Sequence, residues 1–155
     1  MDTIIKLDIP ADAKYLSVLG AAVSAFAELA GDSTITYAVQ LAVHEICANI
    51  IDHAYGAYNP DNRIDIRLTL NEAQLAAKIV DNGRVFNPQT LLETTWEMQA
   101  AENGSSYRLT HIDEPGLEQE RGRGIYLVYQ LMDSVIYTPQ NDRNLWQLTR
   151  NLFVE

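Results

Sequence analysis

The sequence predicts an α+β fold: a two-layer α/β sandwich whose mixed, mostly antiparallel sheet carries helices on one face. Three observations predict it. Apolar periodicity switches along the chain in the order strand, two helices, two strands, a polar segment, a helix and two strands. The later strands come in pairs joined by short turns, which is how antiparallel neighbours are connected. Three helices with apolar stripes need a common surface, and one face of a sheet supplies it. The 155 residues are enough for a single domain, 1–155, with a sizeable core, and no repeat or linker divides them.

Residues 3–9 alternate and stop at Pro10, so they read as a first strand. Residues 11–30 place Leu16, Leu19, Val23, Phe26 and Ala30 at helical spacing, and Gly31 ends the pattern. Asp32, Ser33 and Thr34 offer caps for a second helix running to about residue 55. Its stripe is Val39, Val43, Ile46, Cys47, Ile50, Ile51 and Ala54. "YNPDN" is a turn. Residues 63–70 and 74–80 alternate around Asn71-Glu72 and predict a hairpin. Residues 81–121 are polar, with a short helical stretch expected at 91–98. A segment this long inside one domain predicts a lid, placed at about 84–121. Gly122 and Gly124 open a third helix with Ile125, Val128, Leu131 and Met132. Residues 134–138 and 145–153 close the chain as a hairpin around "PQNDRN".

Charge narrows the partners. With 21 acidic and 11 basic residues the net charge is -10. Nucleic-acid backbones select clustered Lys and Arg, so direct nucleic-acid binding is not expected. An acidic surface suits a basic protein partner, or simply solubility. Cys47 is the one cysteine, which excludes an intrachain disulfide and fits a reducing compartment. The start, "MDTIIKLDIP", lacks the basic region and apolar run of a signal peptide. The longest apolar stretch, 16–30, contains Ser17, Ser24 and Glu28 and is expected to fall short of a membrane span. The expectation is a cytoplasmic protein with no membrane contact.

Three stretches carry chemistry. "HEICANIIDHAYG", 44–56, puts Glu45, Asn49 and His53 at steps of four, hence on one helix face beside the apolar stripe. Asn is a poor residue in mid-helix, because its side chain competes for the backbone. A solvent-facing polar row is the plain reading. A zinc site from His44, Cys47 and His53 fits neither a finger nor a His-x-x-x-His pair. "KIVDNGRVFNP" sets Asp81 at a strand end before Asn82-Gly83. The tripeptide is an ordinary turn, yet no alternating strand follows it, and a ligand with an amino group would use the carboxylate. "ERGRGIYLVYQLMD" places two glycines and two arginines at a helix start, where bare amides make an anion site. It is neither a dinucleotide fingerprint nor a P-loop, because the third glycine and the Gly-Lys-Ser/Thr are missing.

Together these stretches resemble the N-box and the two glycine boxes of the GHKL (Bergerat) ATP-binding fold. The nearer likeness is to the anti-sigma factor serine/threonine kinases of bacterial partner-switching systems, a branch of the histidine-kinase-like ATPases. The resemblance implies ATP and Mg²⁺ as cofactors. It makes Glu45 the general base and Asn49 the magnesium ligand. It makes Asp81 the acceptor for the adenine amino group, and Gly83 the point where backbone approaches the base. Gly122, Arg123, Gly124 and Ile125 would hold the phosphates. His53 is given no chemical role. Two positions depart from the pattern: Val85 stands where the broader fold often has a second glycine, and Phe86-Asn87-Pro88 replaces Phe-Asp-Pro.

The resemblance implies a kinase that binds a sigma factor and phosphorylates an anti-anti-sigma protein of STAS type, with a homodimer left open. Two alternatives stand beside it. One is a non-catalytic module in which ATP sets partner preference. The other is a detached histidine-kinase catalytic domain, which would need a phosphoacceptor helical hairpin that the residues before Thr34 do not supply.

Overall fold

A computed structural model describes residues 2–54, 60–88, 94–101, 104–116 and 123–152. Strand β1 (Thr3–Pro10) leads through a single 3-10 turn into α1 (Leu16–Ala27), and a second 3-10 turn runs to Gly31. Gly31 takes a left-handed φ of 78°, which a side chain would resist, and there the helical run stops. Asp32 caps α2 (Ser33–Asn49), its carboxylate accepting from Thr34 N at 2.8 Å and Ile35 N at 3.4 Å. The hairpin β2 (Arg63–Leu70) and β3 (Gln74–Asp81) follows as the alternation predicts. Helix α3 (Arg123–Leu131) precedes the last pair, β6 (Ser134–Pro139) and β7 (Asn144–Asn151).

The remaining strands correct the sequence reading. β4 (Thr94–Ala101) and β5 (Gly104–Ile112) form a hairpin. The short helix expected at 91–98 is a strand from Thr94 on, and 91–93 lie outside the described residues. Residues 94–101 and 104–112 of the segment assigned to a lid are therefore sheet. Period two wins there because Trp96 and Met98 face Leu109 and Tyr107 across the ladder, and Thr94, Thr95 and Trp96 favour a pleated surface.

The seven strands lie in the order β1-β2-β3-β7-β6-β5-β4, and all six ladders are antiparallel. Inward residues line up across strands: Leu7, Ile66, Ile79, Trp146 and Tyr137 form one row. Val39, Val43, Ile46 and Cys47 of α2 are buried over this face, and α2 packs between α1 and α3. The opposite face carries Lys6, Asp8, Asp65, Arg67 and Lys78, all exposed.

By length and composition, Ala13–Ala30 and Ser33–His53 are both apolar enough to cross a membrane, contrary to the expectation for the first of them. Their apolar faces are already in use. Leu19, Val23, Phe26 and Ala27 of α1, and seven residues of α2, are buried inside the domain.

Candidate functional site

Helix α2 positions the first pair. Glu45 and Asn49 lie one turn apart at the margin of the buried stripe, both half-buried. The start of α3 meets them there. A Cβ added to Gly124 would come 2.8 Å from Glu45 Oε2, 3.3 Å from Asn49 Nδ2 and 3.6 Å from Asn49 Oδ1. Only a bare Cα leaves those two side chains undisturbed. After Asn49 the chain runs as a π-helical turn, Ile50–Ala54, in place of the α-helix expected there. His53 is exposed, and its carbonyl accepts from Arg84 Nη2 at 2.7 Å. Tyr55, the expected helix end, lies outside the described residues.

Of the phosphate-site candidates, Arg123 is exposed and its Nη2 donates to Gly116 O at 3.0 Å. Ile125 is 5% exposed, so its side chain belongs to the core and only its backbone is available to a ligand. Gly122 lies outside the described residues. The amides of the first turn of α3 have no partner within the helix, as at any helix start.

Asp81 occupies the last inward position of β3, in a row with Ile9, Ile64 and Asn144. It is 2% exposed. Its Oδ1 accepts from Gly83 N at 2.8 Å and from Asn144 Nδ2 at 2.9 Å. Its Oδ2 is buried with no hydrogen-bond partner among the described residues. Burial pushes the Asp81 carboxyl above the usual carboxylate range, while the hydrogen bonds from Asn144 and Gly83 pull the other way. Cys47, on the sheet side of α2, is fully buried. Its thiol is pushed far above its ordinary value by burial first and the Asp81 charge second. The charge of Asp81 thus acts on Cys47, the α2 residue midway between Glu45 and Asn49.

Sequence reasoning missed the residues that hold Asp81. Asn144 Nδ2 also lies 3.0 Å from the carbonyl of Arg84 and 3.3 Å from that of Gly83. Its Oδ1 accepts from the Tyr137 hydroxyl, which in turn accepts from Phe86 N at 2.9 Å. Burial raises the Tyr137 phenol to about 12, so it stays a donor at any ordinary pH. Phe86 packs on Tyr137 (5.4 Å between centroids), Trp146 (5.9 Å) and Trp96 (6.4 Å), fixing the loop after Gly83 to the sheet. Val85, at the departed glycine position, points outward at 55% exposure, so a side chain costs nothing there. The available signal was parity: Asn144 is in step with inward Trp146 and Leu148, but a strand begun at 145 left it in the turn.

The arrangement offers a carboxylate and a carboxamide around a glycine at a helix start. A second carboxylate, Asp81, is buried at the end of β3, with one oxygen that has no partner among the described residues. Among the described residues, no three His, Cys, Asp or Glu side chains are grouped to hold a metal ion.

The chain is 29% identical over 132 residues to the serine-protein kinase RsbW of Bacillus mycoides, covering 84% of this chain and 74% of that protein. The protein of the same name from Bacillus licheniformis is 26% identical, over 84% of this chain and 75% of its own length. That from Listeria monocytogenes is 26% identical, over 84% and 76%. The pattern of the histidine kinase-like ATPase domain matches residues 9–149, which takes in every strand and helix around Glu45, Asn49, Asp81 and Gly124. The chain belongs to the histidine kinase-like ATPase domain family.

Proposed function

We propose that this protein is an ATP-dependent serine/threonine kinase that also acts as an anti-sigma regulatory factor, phosphorylating a small STAS-type anti-anti-sigma partner. The observation that carries the reading is the convergence of Glu45, Asn49 and Gly124, where one added methyl group would touch both side chains. The residues fit a magnesium-bound adenine nucleotide. The orphaned Asp81 Oδ2 matches an amino-group donor, and the bare Gly124 leaves room beside the only candidate metal ligand. The similarity to proteins named serine-protein kinases supports the choice of reaction.

In this reading Mg²⁺-ATP supplies the phosphoryl group and the neutralising cation. Glu45 takes the proton from the acceptor hydroxyl. Asn49 would offer its side-chain oxygen to the metal, whose charge would offset that of the phosphates. Asp81 and Gly83 receive the adenine. Gly122, Arg123 and the amides of Gly124 and Ile125 hold phosphate oxygens. The lid expected at about 84–121 overlaps β4 and β5, so its residues 94–101 and 104–112 belong to the sheet instead. The acidic surface suits a basic, DNA-binding sigma factor, and both partners place the protein in the cytoplasm. A homodimer is compatible with this scheme.

The test is Glu45→Gln, which keeps shape and removes the base. Transfer from labelled ATP to the partner's Ser or Thr should fall at least a hundredfold, with nucleotide affinity within about threefold of the parent. Full transfer by the variant would remove Glu45 from the base role. Tight ATP binding by the parent with no phosphorylated partner would select the non-catalytic module, and acid-labile phosphohistidine the detached kinase domain.

A further inference from the structure

The face of the sheet away from the helices carries charge in an unusual order. Lys6 stands opposite Arg67, and Arg67 opposite Lys78, in direct register across β1, β2 and β3. All three are exposed. Like charges directly opposite on a sheet are destabilising. This chain has 21 acidic residues against 11 basic ones, yet three of the eleven stand side by side. None of the three makes an ion pair among the described residues. The nearest acids do not cancel them. Asp8 is taken by Arg63 at 2.6 Å, and Asp65 lies only diagonally from Lys6 and Lys78. The row floors a groove of about 310 Å³, with Asp8, Asp65 and Val80 also on its wall.

We propose that this open face of β1–β3 is a docking surface for an acidic helix of a partner protein, laid across the strands with one carboxylate over each of Lys6, Arg67 and Lys78. The spacing selects a helix. Strands lie about 4.8 Å apart, so the row spans about 10 Å. At about 1.5 Å per residue, helix positions i, i+3 and i+7 fall at about 0, 4.5 and 10.5 Å. Same-face residues of an extended strand step by about 6.7 Å and lose register by the third. Polymeric nucleic acid is disfavoured, because three cations on a chain of net charge -10 cannot hold it. The helix is not one of this chain's own described helices: α1 and α3 contain no acid, and α2 contains only Glu45. The surface lies across the sheet from Glu45 and Asp81, so a partner bound here leaves the candidate nucleotide site open. The proposal does not depend on the kinase reading.

The test uses two synthetic Ala/Gln-based helical peptides of one composition. One has Glu at i, i+3 and i+7, the other at i, i+2 and i+5. By fluorescence anisotropy at low salt, the parent should bind the registered peptide about tenfold tighter than the control. Arg67→Glu should erase that preference, and Arg67→Gln should reduce it. Arg67→Glu should also raise the melting temperature at low salt, with the gain vanishing at high salt, because it replaces repulsion by two favourable pairs. Equal binding of the two peptides by the parent would overturn the proposal, as would an unchanged preference in Arg67→Glu. Arg67-dependent binding of polyuridylate, or an Arg67→Glu effect confined to self-association in sedimentation velocity, would assign the row to another ligand and overturn it too.

Discussion

Asp81 stands in a buried row of the sheet between Ile64 and Asn144, and its position costs stability. One oxygen is satisfied by Gly83 and Asn144, while the other is buried with no partner among the described residues. A carboxyl raised by burial binds its proton more tightly folded than unfolded. Stability therefore falls as pH rises from the ordinary carboxylate range through the raised value, and above it the full penalty is present. Asp81→Asn removes the charge and keeps an oxygen for Gly83 and Asn144. The variant should melt at or above the parent temperature at neutral pH, and the difference should close on acidification. It presents an NH₂ where a ligand amino group needs an acceptor, so ATP affinity should drop at least tenfold by calorimetry. Asp81 was legible in the sequence because an Asp-Asn-Gly at a strand end led into no further strand. Asn144 was not, because its importance is its register with a residue 63 positions away, which no local pattern records, and Tyr137 matters through Asn144 and Phe86.

At the scale of elements, the crossing of α2 and α3 sets the site. The α3 backbone can approach Glu45 and Asn49 only where it lacks a Cβ. Gly124→Ala is locally favourable to a helix, and the groups it meets are ends of side chains that can turn aside. The variant should fold with a melting temperature close to the parent's. Phosphoryl transfer should fall at least tenfold, because Glu45 and Asn49 are displaced together by a fraction of their working geometry. Unchanged transfer would separate Gly124 from the site. Helix α2 was readable because its apolar stripe and its Asp32 cap are both local signals. Its end was not, since nothing in Ile50–Ala54 announces a π turn. The β4–β5 hairpin escaped for a different reason. Its strands are polar on the outer side, and Met98 on the inner side remains 67% exposed, so burial imprinted little alternation on them. The Asn103-Gly104 dipeptide between its arms was the signal to weigh, and Gly104 takes a φ of 142° there.

For the molecule as a whole, the candidate site exists only when the chain is folded. Residues 45 and 49 come from the second helix, 81 from the third strand, 83 from the loop that follows it, 124 from the third helix and 144 from the last strand, brought together by placing β3 and β7 side by side. The unfolded chain has no such site, so a ligand held there must stabilise the fold by mass action. At a hundred times its dissociation constant it contributes about 2.7 kcal/mol. For a domain of this size that corresponds to a rise of roughly 5–11 °C in melting temperature. The parent should show this shift with Mg²⁺-ATP and much less with Mg²⁺-GTP, whose base offers a carbonyl where Asp81 needs a donor. Asn49→Ala should lose the part of the shift that depends on Mg²⁺ and keep the part seen with ATP and chelator. Asp81→Asn should lose both. Arg67→Glu, on the far face, should retain the full increment from its own higher baseline. Equal shifts with the two nucleotides, or equal shifts in the Asn49 and Asp81 variants and the parent, would place the bound nucleotide away from α2 and β3.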